Sequence, residues 1–222
     1  MKDKKILVAG GTGLVGANLT RRLVDLDAVV TSSFCTRQPE HLRQYYRRYD
    51  FTRFEDCLAA TAGQEYVFLC AVQASGVQGM KMNPSAPLLP NLQIHAGILE
   101  ACAQNHVAKV LWISSSTVYQ EAFYPIREVQ LDLNQPTCRI YQAMGWFYRY
   151  VEQLCRLYHD QLGLKIGILR TTSIYGPYDK FDDQKSHVIP ALIKRALNRE
   201  TPFVVLGNGH TIRDFIYVDY LI

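Results

Sequence analysis

No two cysteines in this sequence form a C-x-x-C pair, although six are present, at Cys35, Cys57, Cys70, Cys102, Cys138 and Cys155. Most lie in apolar segments, which argues against a zinc site and for reduced thiols rather than a disulfide framework. No apolar run approaches the roughly 20 residues that a membrane span needs. The formal net charge of +4 is small and scattered, too weak a signal for nucleic-acid binding. Internal repeats and low-complexity tracts are absent. The charged first residues run straight into an apolar segment, so no secretory leader is expected. These absences predict a cytoplasmic protein with no metal, no membrane and no nucleic-acid partner. The 222 residues, 48% apolar and 20% charged, suffice for one large globular domain, or one and a fraction.

What is present is organised around the start of the chain. Ile6-Leu7-Val8-Ala9 reads as a buried parallel strand that enters Gly10-Gly11-Thr12-Gly13-Leu14-Val15-Gly16 without a break. Leu14, Val15, Leu19, Leu23 and Leu26 follow at helical spacing. Gly10 and Gly11 suit a turn that side chains would block. Gly13 lets backbone approach a pyrophosphate, and Gly16 lets the helix pack closely. The helix then presents free N–H groups and its positive dipole end to the phosphates. A strand–turn–helix of this kind predicts dinucleotide binding.

The next strand is predicted over 28–34. No acid occurs between Asp27 and Glu40 to hold ribose hydroxyls, while Arg37 stands where a 2′-phosphate would want a cation. This favours NADP(H) over NAD(H), although a solvated loop arginine would look the same. A short strand over 45–50 puts Asp50 where an adenine amino group could donate to it. A helix over 55–62 and a buried strand over 66–72, with Ala71 near its end, precede a long loop through Pro90. Asn91 is expected to cap a helix carrying Leu92, Ala96, Leu99 and Cys102. Strands over 107–113 and 165–169 flank a long helix that Tyr141 opens. Its stripe of Phe147, Val151, Leu154 and Tyr158 suits a core face or a subunit interface. Ser186 is expected to cap a further helix. Residues 203–206, the Gly207-Asn208-Gly209 turn and residues 211–217 suggest a hairpin. The alternation predicts an α/β fold with a Rossmann-type doubly wound parallel sheet. The sequence closes on the apolar Tyr220-Leu221-Ile222, which reads as an interrupted chain.

Taken in order, the glycine turn, Ser115-Ser116-Thr117-Val118-Tyr119, Tyr141, Ile174-Tyr175-Gly176-Pro177 and Arg213-Asp214-Phe215-Ile216-Tyr217-Val218-Asp219 resemble the extended short-chain dehydrogenase/reductases. This is the NAD(P)-dependent epimerase/dehydratase family, and the segment from Ser186 to Leu192 is similar to its GDP-fucose synthase branch. The resemblance implies a nucleotide-linked sugar as substrate. Ser115 would orient it and Tyr141 would transfer a proton as hydride moves to or from nicotinamide. His187 matches an acid–base histidine of that branch, although a helix-start histidine serving structure would look alike. Thr117 stands where the branch has a cysteine. Ala71, Thr172 and Ile174 complete the expected cofactor contacts; Ser173, Arg195 and Arg213 are expected at the substrate. The resemblance also implies a homodimer through the two long helices, a dinucleotide-binding domain over 1–170, and the beginning of an incomplete substrate-binding subdomain over 171–222.

One departure divides the functional reading. The family's tyrosine is followed four residues later by lysine, on the same helix face; here that position is Gly145. Bringing a phenol from about 10 to near 7 takes roughly 4 kcal/mol, which one cation about 4 Å away supplies at an effective dielectric near 20. Two expectations therefore stand side by side. One is an oxidoreductase or epimerase with an atypical site. The other is a dinucleotide-binding regulatory or structural protein that has lost turnover.

Overall fold

The computed structural model describes residues 1–73, 82–122, 124–182, 186–207, 209, 210 and 212–222. Six strands form one parallel sheet: β1 (Lys5–Ala9), β2 (Val29–Phe34), β3 (Tyr46–Arg48), β4 (Tyr66–Leu69), β5 (Lys109–Ser115) and β6 (Ile166–Thr171). Their order is β3-β2-β1-β4-β5-β6, so the chain direction across the sheet reverses between β1 and β4. Crevices at such a reversal, outside the carboxyl ends of the strands, are where open α/β sheets take ligands. Gly10 lies at the end of β1 and Ala71 beyond the end of β4.

Helices cover both faces, and residue alternation explains which side each one takes. Ile6 and Val8 of β1 point into a cluster with Leu19 and Leu23 of α1 (Leu14–Asp25). Leu7 and Ala9 point the other way, into the larger core beneath α2 (Phe54–Thr61), α3 (Leu88–Gln104) and α4 (Gln142–Leu162). On β5 the buried Val110, Trp112 and Ser114 alternate with half-buried neighbours. Phe147 and Val151 are buried within the α3–α4 side, with Leu154 and Tyr158 packed against it. The Tyr158 hydroxyl donates to Glu100 of α3 at 2.7 Å, so this stripe is core. Burial pushes the thiols of Cys57, Cys102 and Cys155 up to about 12, leaving them protonated fillers.

Several local expectations need correction. Helix α3 begins at Leu88, so Asn91 is one turn inside it rather than its cap. The Asn91 amide donates to the Gln73 and Pro87 carbonyls, and its oxygen accepts from the Gln73 amide. It therefore ties the chain beyond β4 to α3. Helix α5 (Val188–Leu197) is capped by extended His187; the Ser186 hydroxyl instead donates to the Lys180 carbonyl at 2.6 Å. The expected hairpin is replaced by a parallel pair, β7 (Ser173–Tyr175) with β8 (Phe215–Tyr217). No strand occurs over residues 203–206, while Asn208 and Thr211 of that expectation lie outside the described residues, as does much of the loop before Pro90.

His95 sits inside the main core, with its Nδ1 on the Asn91 carbonyl at 2.8 Å and the Trp112 and Phe147 rings edge-on to it. Burial pushes its imidazole down to about 4, against about 6.5 in an unfolded chain. The unfolded state therefore binds the extra proton first. The stability this group contributes is present above about pH 6.5 and is lost as pH falls toward about 4. Urea unfolding at pH 7 and pH 4.5 should show wild type losing about 2 kcal/mol more than His95→Gln between the two conditions; equal losses would contradict a neutral buried imidazole.

Candidate functional site

The glycine turn is shaped by how little room surrounds it. Gly10 has φ +89°, and a Cβ there would stand 2.6 Å from both the Cα and the nitrogen of Ala71. A Cβ on Gly11 would collide with the Ser32 hydroxyl, and one on Gly16 would stand 2.2 Å from the Gly10 carbonyl oxygen. Gly16 thus packs α1 onto the turn itself. Gly13 differs: it is exposed, and the nearest atom to an added Cβ is the Gly10 carbonyl oxygen at 3.4 Å. Gly13 precedes α1 without a side-chain cap, and the first turn carries no acid. The leading N–H groups of a helix have no intrahelical acceptors. An open, uncapped, acid-free helix start beside Thr12 fits a pyrophosphate.

Strands β2 and β3 hold this turn in place. The Ser33 hydroxyl accepts from the Gly10 amide at 2.7 Å, and the Tyr46 hydroxyl donates to the Gly11 carbonyl at 2.9 Å. Beside it, Thr12, Arg21, Arg37, Glu40, His41 and Tyr178 line one cleft. Arg37 meets Glu40 at 3.0 Å, both well exposed. The first acid after β2 is therefore in the cleft, paired with the cation that was expected to select a phosphate. Asp50 accepts from the amide and hydroxyl of Thr52, and the hydroxyl, followed by the amide, holds its carboxyl below the ordinary range.

At the end of β5, the Ser115 Oγ accepts from the Thr117 amide at 3.2 Å and the Thr117 hydroxyl at 3.0 Å. Its own proton is left to donate outward. Thr117 spends its proton on Ser115. Beneath this loop, Ser114 donates to Glu152, which Arg170 grips with two nitrogens at 2.9 and 2.7 Å. Arg170 also donates to the Tyr119 hydroxyl at 3.0 Å.

Tyr141 ends a short 3-10 turn and leads into α4, half buried. Among the described residues no hydrogen bond joins it to Ser115. Gly145, one turn on, faces the serine loop, and a Cβ there would stand 2.7 Å from the Thr117 carbonyl oxygen and 2.7 Å from the Thr137 side chain. The place of the lysine is taken by backbone. Arg149, a further turn on, is buried, with its nitrogens on the carbonyls of Val118, Leu133, Gln135 and Asp132. Its fork is committed to those loops.

The remaining candidates are dispersed through the last fifty residues. The Thr172 hydroxyl donates to the Asp214 carbonyl at 2.9 Å; Ser173 and Ile174 lie in β7, paired with Phe215 and Ile216 of β8. Arg195 donates to the Val204 carbonyl and meets Glu200 at 3.7 Å, while Arg213 is exposed. The His187 Nδ1 lies 3.3 Å from the buried Asp179 carboxylate. Sequence reasoning missed Ser33, Tyr46, Glu152, Arg170 and Asp179. The available signal was a charged residue at a core position, Glu152 beside the stripe of Phe147, Val151 and Leu154 on α4 and Arg170 in the mostly apolar β6.

The model of the NAD dependent epimerase/dehydratase family matches residues 6–222. GDP-L-fucose synthase of Escherichia coli (strain K12) is 31% identical over 229 residues, covering 99% of this chain and 67% of that protein. Probable GDP-L-fucose synthase 1 of Oryza sativa subsp. japonica is 32% identical, covering 99% of this chain and 66% of that protein. The chain thus spans about two thirds of the length of these curated relatives. Among solved structures, a UDP-N-acetylglucosamine 4-epimerase from Methanobrevibacter ruminantium M1, in complex with UDP-N-acetylmuramic acid, superposes with TM-score 0.84 at 28% identity. It covers 100% of this chain and 71% of that one. A GDP-L-fucose synthetase from Naegleria fowleri bound to NADP gives TM-score 0.77 at 25% identity, covering 98% and 70%.

The packing at Gly145 sets the sign of a substitution there. Alanine in a helix interior is favoured over glycine by about 1 kcal/mol, whereas forcing a methyl against fixed backbone costs about 1–3 kcal/mol. Gly145→Ala should therefore leave the protein less stable in denaturant unfolding, and lysine would fare worse. Gly167→Ala, whose Cβ would meet only the Leu111 side chain at 3.5 Å, serves as the tolerated comparison. A stabilised Gly145→Ala would mean that helix and serine loop separate readily.

Proposed function

The chain belongs to the NAD dependent epimerase/dehydratase family, and from that membership we propose that it acts on a nucleotide-linked sugar by hydride and proton transfer, with NADP(H) favoured over NAD(H). The observation that carries this reading is the glycine turn: closed to side chains at Gly10, Gly11 and Gly16, open at Gly13, and set at the reversal of the sheet. The amides of Leu14 and Val15 would hold the pyrophosphate, with Thr12 and Ala71 beside it and Thr172 and Ile174 further along. Arg37 would hold a 2′-phosphate, and Asp50 the adenine. When bound, the dinucleotide supplies the hydride donor or acceptor.

The chain's own residues then have separate tasks. Ser115, whose oxygen already accepts two hydrogen bonds, donates to a substrate oxygen and fixes its orientation. Tyr141 exchanges a proton with that oxygen. With backbone in the lysine's place, its phenol serves better as a proton donor than as a base, so reduction of a carbonyl is the favoured direction. His187 handles a second proton, while Ser173, Arg195 and Arg213 contribute to the nucleotide-diphosphate side. Residues 1–170 serve the cofactor and residues 171–222 begin the substrate side. Trp146, Tyr150 and Leu157 form an exposed apolar stripe on α4 that suits a homodimer. The six unpaired cysteines are compatible with the reducing cytoplasm.

A second reading has its own support. Gly145 is packed against the serine loop and Arg149 is engaged by loop carbonyls, so the tyrosine's helix offers it no cation. A protein that binds the dinucleotide without turnover would keep everything described at the glycine turn.

Calorimetry tests the dinucleotide site that both readings share. Gly13→Ala should fold normally, because its Cβ meets nothing closer than 3.4 Å, yet lose dinucleotide affinity by about tenfold or more. Retained affinity would remove the pyrophosphate from this turn. Arg37→Ala should weaken NADPH by roughly 10- to 100-fold, the worth of a charge-assisted hydrogen bond, and leave NADH nearly unchanged. A hydride-transfer assay with nucleotide sugars on the same protein then distinguishes enzyme from binder. Leu157→Glu should shift sedimentation toward monomer if the α4 stripe is the dimer surface.

A further inference from the structure

Asp179 is only 7% exposed, yet it makes poor use of its charge as a fold-stabilising group. One carboxylate oxygen, Oδ1, accepts from the Lys180 amide at 2.8 Å and faces the His187 Nδ1 at 3.3 Å. The other, Oδ2, is buried with no hydrogen-bond partner among the described residues. Native structures leave few buried polar atoms unsatisfied, and a structural aspartate is ordinarily satisfied at both oxygens. Burying an ionised carboxylate is unfavourable unless it is paired.

The backbone around Asp179 is held for the purpose of placing it. Tyr178, a bulky residue, adopts φ +68°, a conformation that persists only where the surroundings impose it. Asn18 of α1 donates to the Pro177 carbonyl at 2.9 Å, the Asp179 amide donates to the Gly176 carbonyl at 3.3 Å, and the Tyr178 ring meets His41 edge-on. The turn is thereby tied to α1 and to the Arg37 cleft. On the other side, the extended cap residue of α5 carries an imidazole whose side chain is 62% exposed. One ring nitrogen is thus turned to a buried carboxylate while the side chain as a whole remains accessible.

We propose that Asp179 is the positioning residue for His187. Its carboxylate fixes the neutral ring as the Nδ1–H tautomer and leaves Nε2 as the lone pair that takes a proton from substrate. This inference rests on the proposed activity only for what Nε2 does; the tautomer is a property of the pair itself. The hydrogen bond made by one nitrogen decides which form the other takes, and an imidazole released from the carboxylate loses that preference. The proton moves from substrate to Nε2 and returns from it, and no oxidant or co-reactant is needed.

The test uses the full chain with ¹⁵N-labelled histidine and long-range ¹H–¹⁵N correlation at neutral pH, on wild type, Asp179→Asn and Asp179→Ala. Wild-type His187, identified by the signal missing in His187→Gln, should show the Nδ1–H pattern, and both Asp179 variants should lose it. An unchanged His187 pattern in folded Asp179→Ala overturns the proposal. With a nucleotide sugar that wild type converts, both variants should lower kcat by about 100-fold with KM changed less than about twofold. A parallel loss in KM and melting temperature would make Asp179 merely structural and count against it. If wild type converts no nucleotide sugar, the proposed activity fails, and the tautomer pattern still decides the dyad.

Discussion

Backbone meets backbone at the end of β1, and the arrangement around the crevice depends on that contact. Gly10 lies against the chain beyond β4, and Gly16 lies against Gly10, so one strand, its neighbour across the sheet reversal and the first helix converge where no side chain fits. A residue without Cβ adopts φ +89° at no steric cost. The convergence brings the start of α1 directly over the sheet's carboxyl edge. Ser33 and Tyr46 then hold the turn from β2 and β3, so its shape belongs to the sheet as much as to the seven residues that compose it. The openness of Gly13 has meaning only against this closed surround.

The same device recurs in α4, with the opposite consequence for chemistry. Gly145 lets the helix approach the Thr117 carbonyl and Thr137, and Arg149 gathers four loop carbonyls one turn further on. In the family pattern this face would carry a lysine beside the tyrosine. Here it carries packing and loop anchorage. A cation cannot simply be restored to such a helix, because the Thr117 carbonyl and the Thr137 side chain occupy the space its stem would need. Close approach at α1 leaves an open helix start at Gly13, whereas close approach at α4 fills the space beside Gly145.

What could be read from the sequence was local. Strand β1, the turn and α1 were legible because an apolar run, glycine spacing and helical periodicity all lie within about twenty residues, and the parallel sheet followed from alternation. Asn91 and Ser186 were misread as caps. Both residue types cap helices well, but Asn91 is bound to Gln73 and Ser186 to Lys180, partners that spacing does not reveal. The hairpin failed for a related reason: β8 found β7, some forty residues earlier, instead of its neighbour. Ser115 and Thr117 were visible as types, but the direction of their hydrogen bonds was not. Asp179 is inconspicuous in the sequence, since an aspartate after a Gly-Pro turn, with further acids following, looks solvated until its burial is known.

The serine loop does not rely on the missing lysine for its position. Buried Glu152 and half-buried Arg170 form a bidentate pair that takes the Ser114 hydroxyl on one side and the Tyr119 hydroxyl on the other. Removing Arg170 would leave the Glu152 charge buried, at a penalty of about 3–5 kcal/mol, so the arginine is hard to lose by a single step. The pair grips the residue before Ser115 and the residue ending the loop, fixing both flanks. The lysine of the family pattern tunes a tyrosine; it need not hold the loop. A chain can therefore exchange that lysine for glycine, tighten α4 against Thr117, and still present Ser115 in the same place. In the proposed activity, orientation of the sugar by Ser115 and activation of Tyr141 would therefore rest on separate groups.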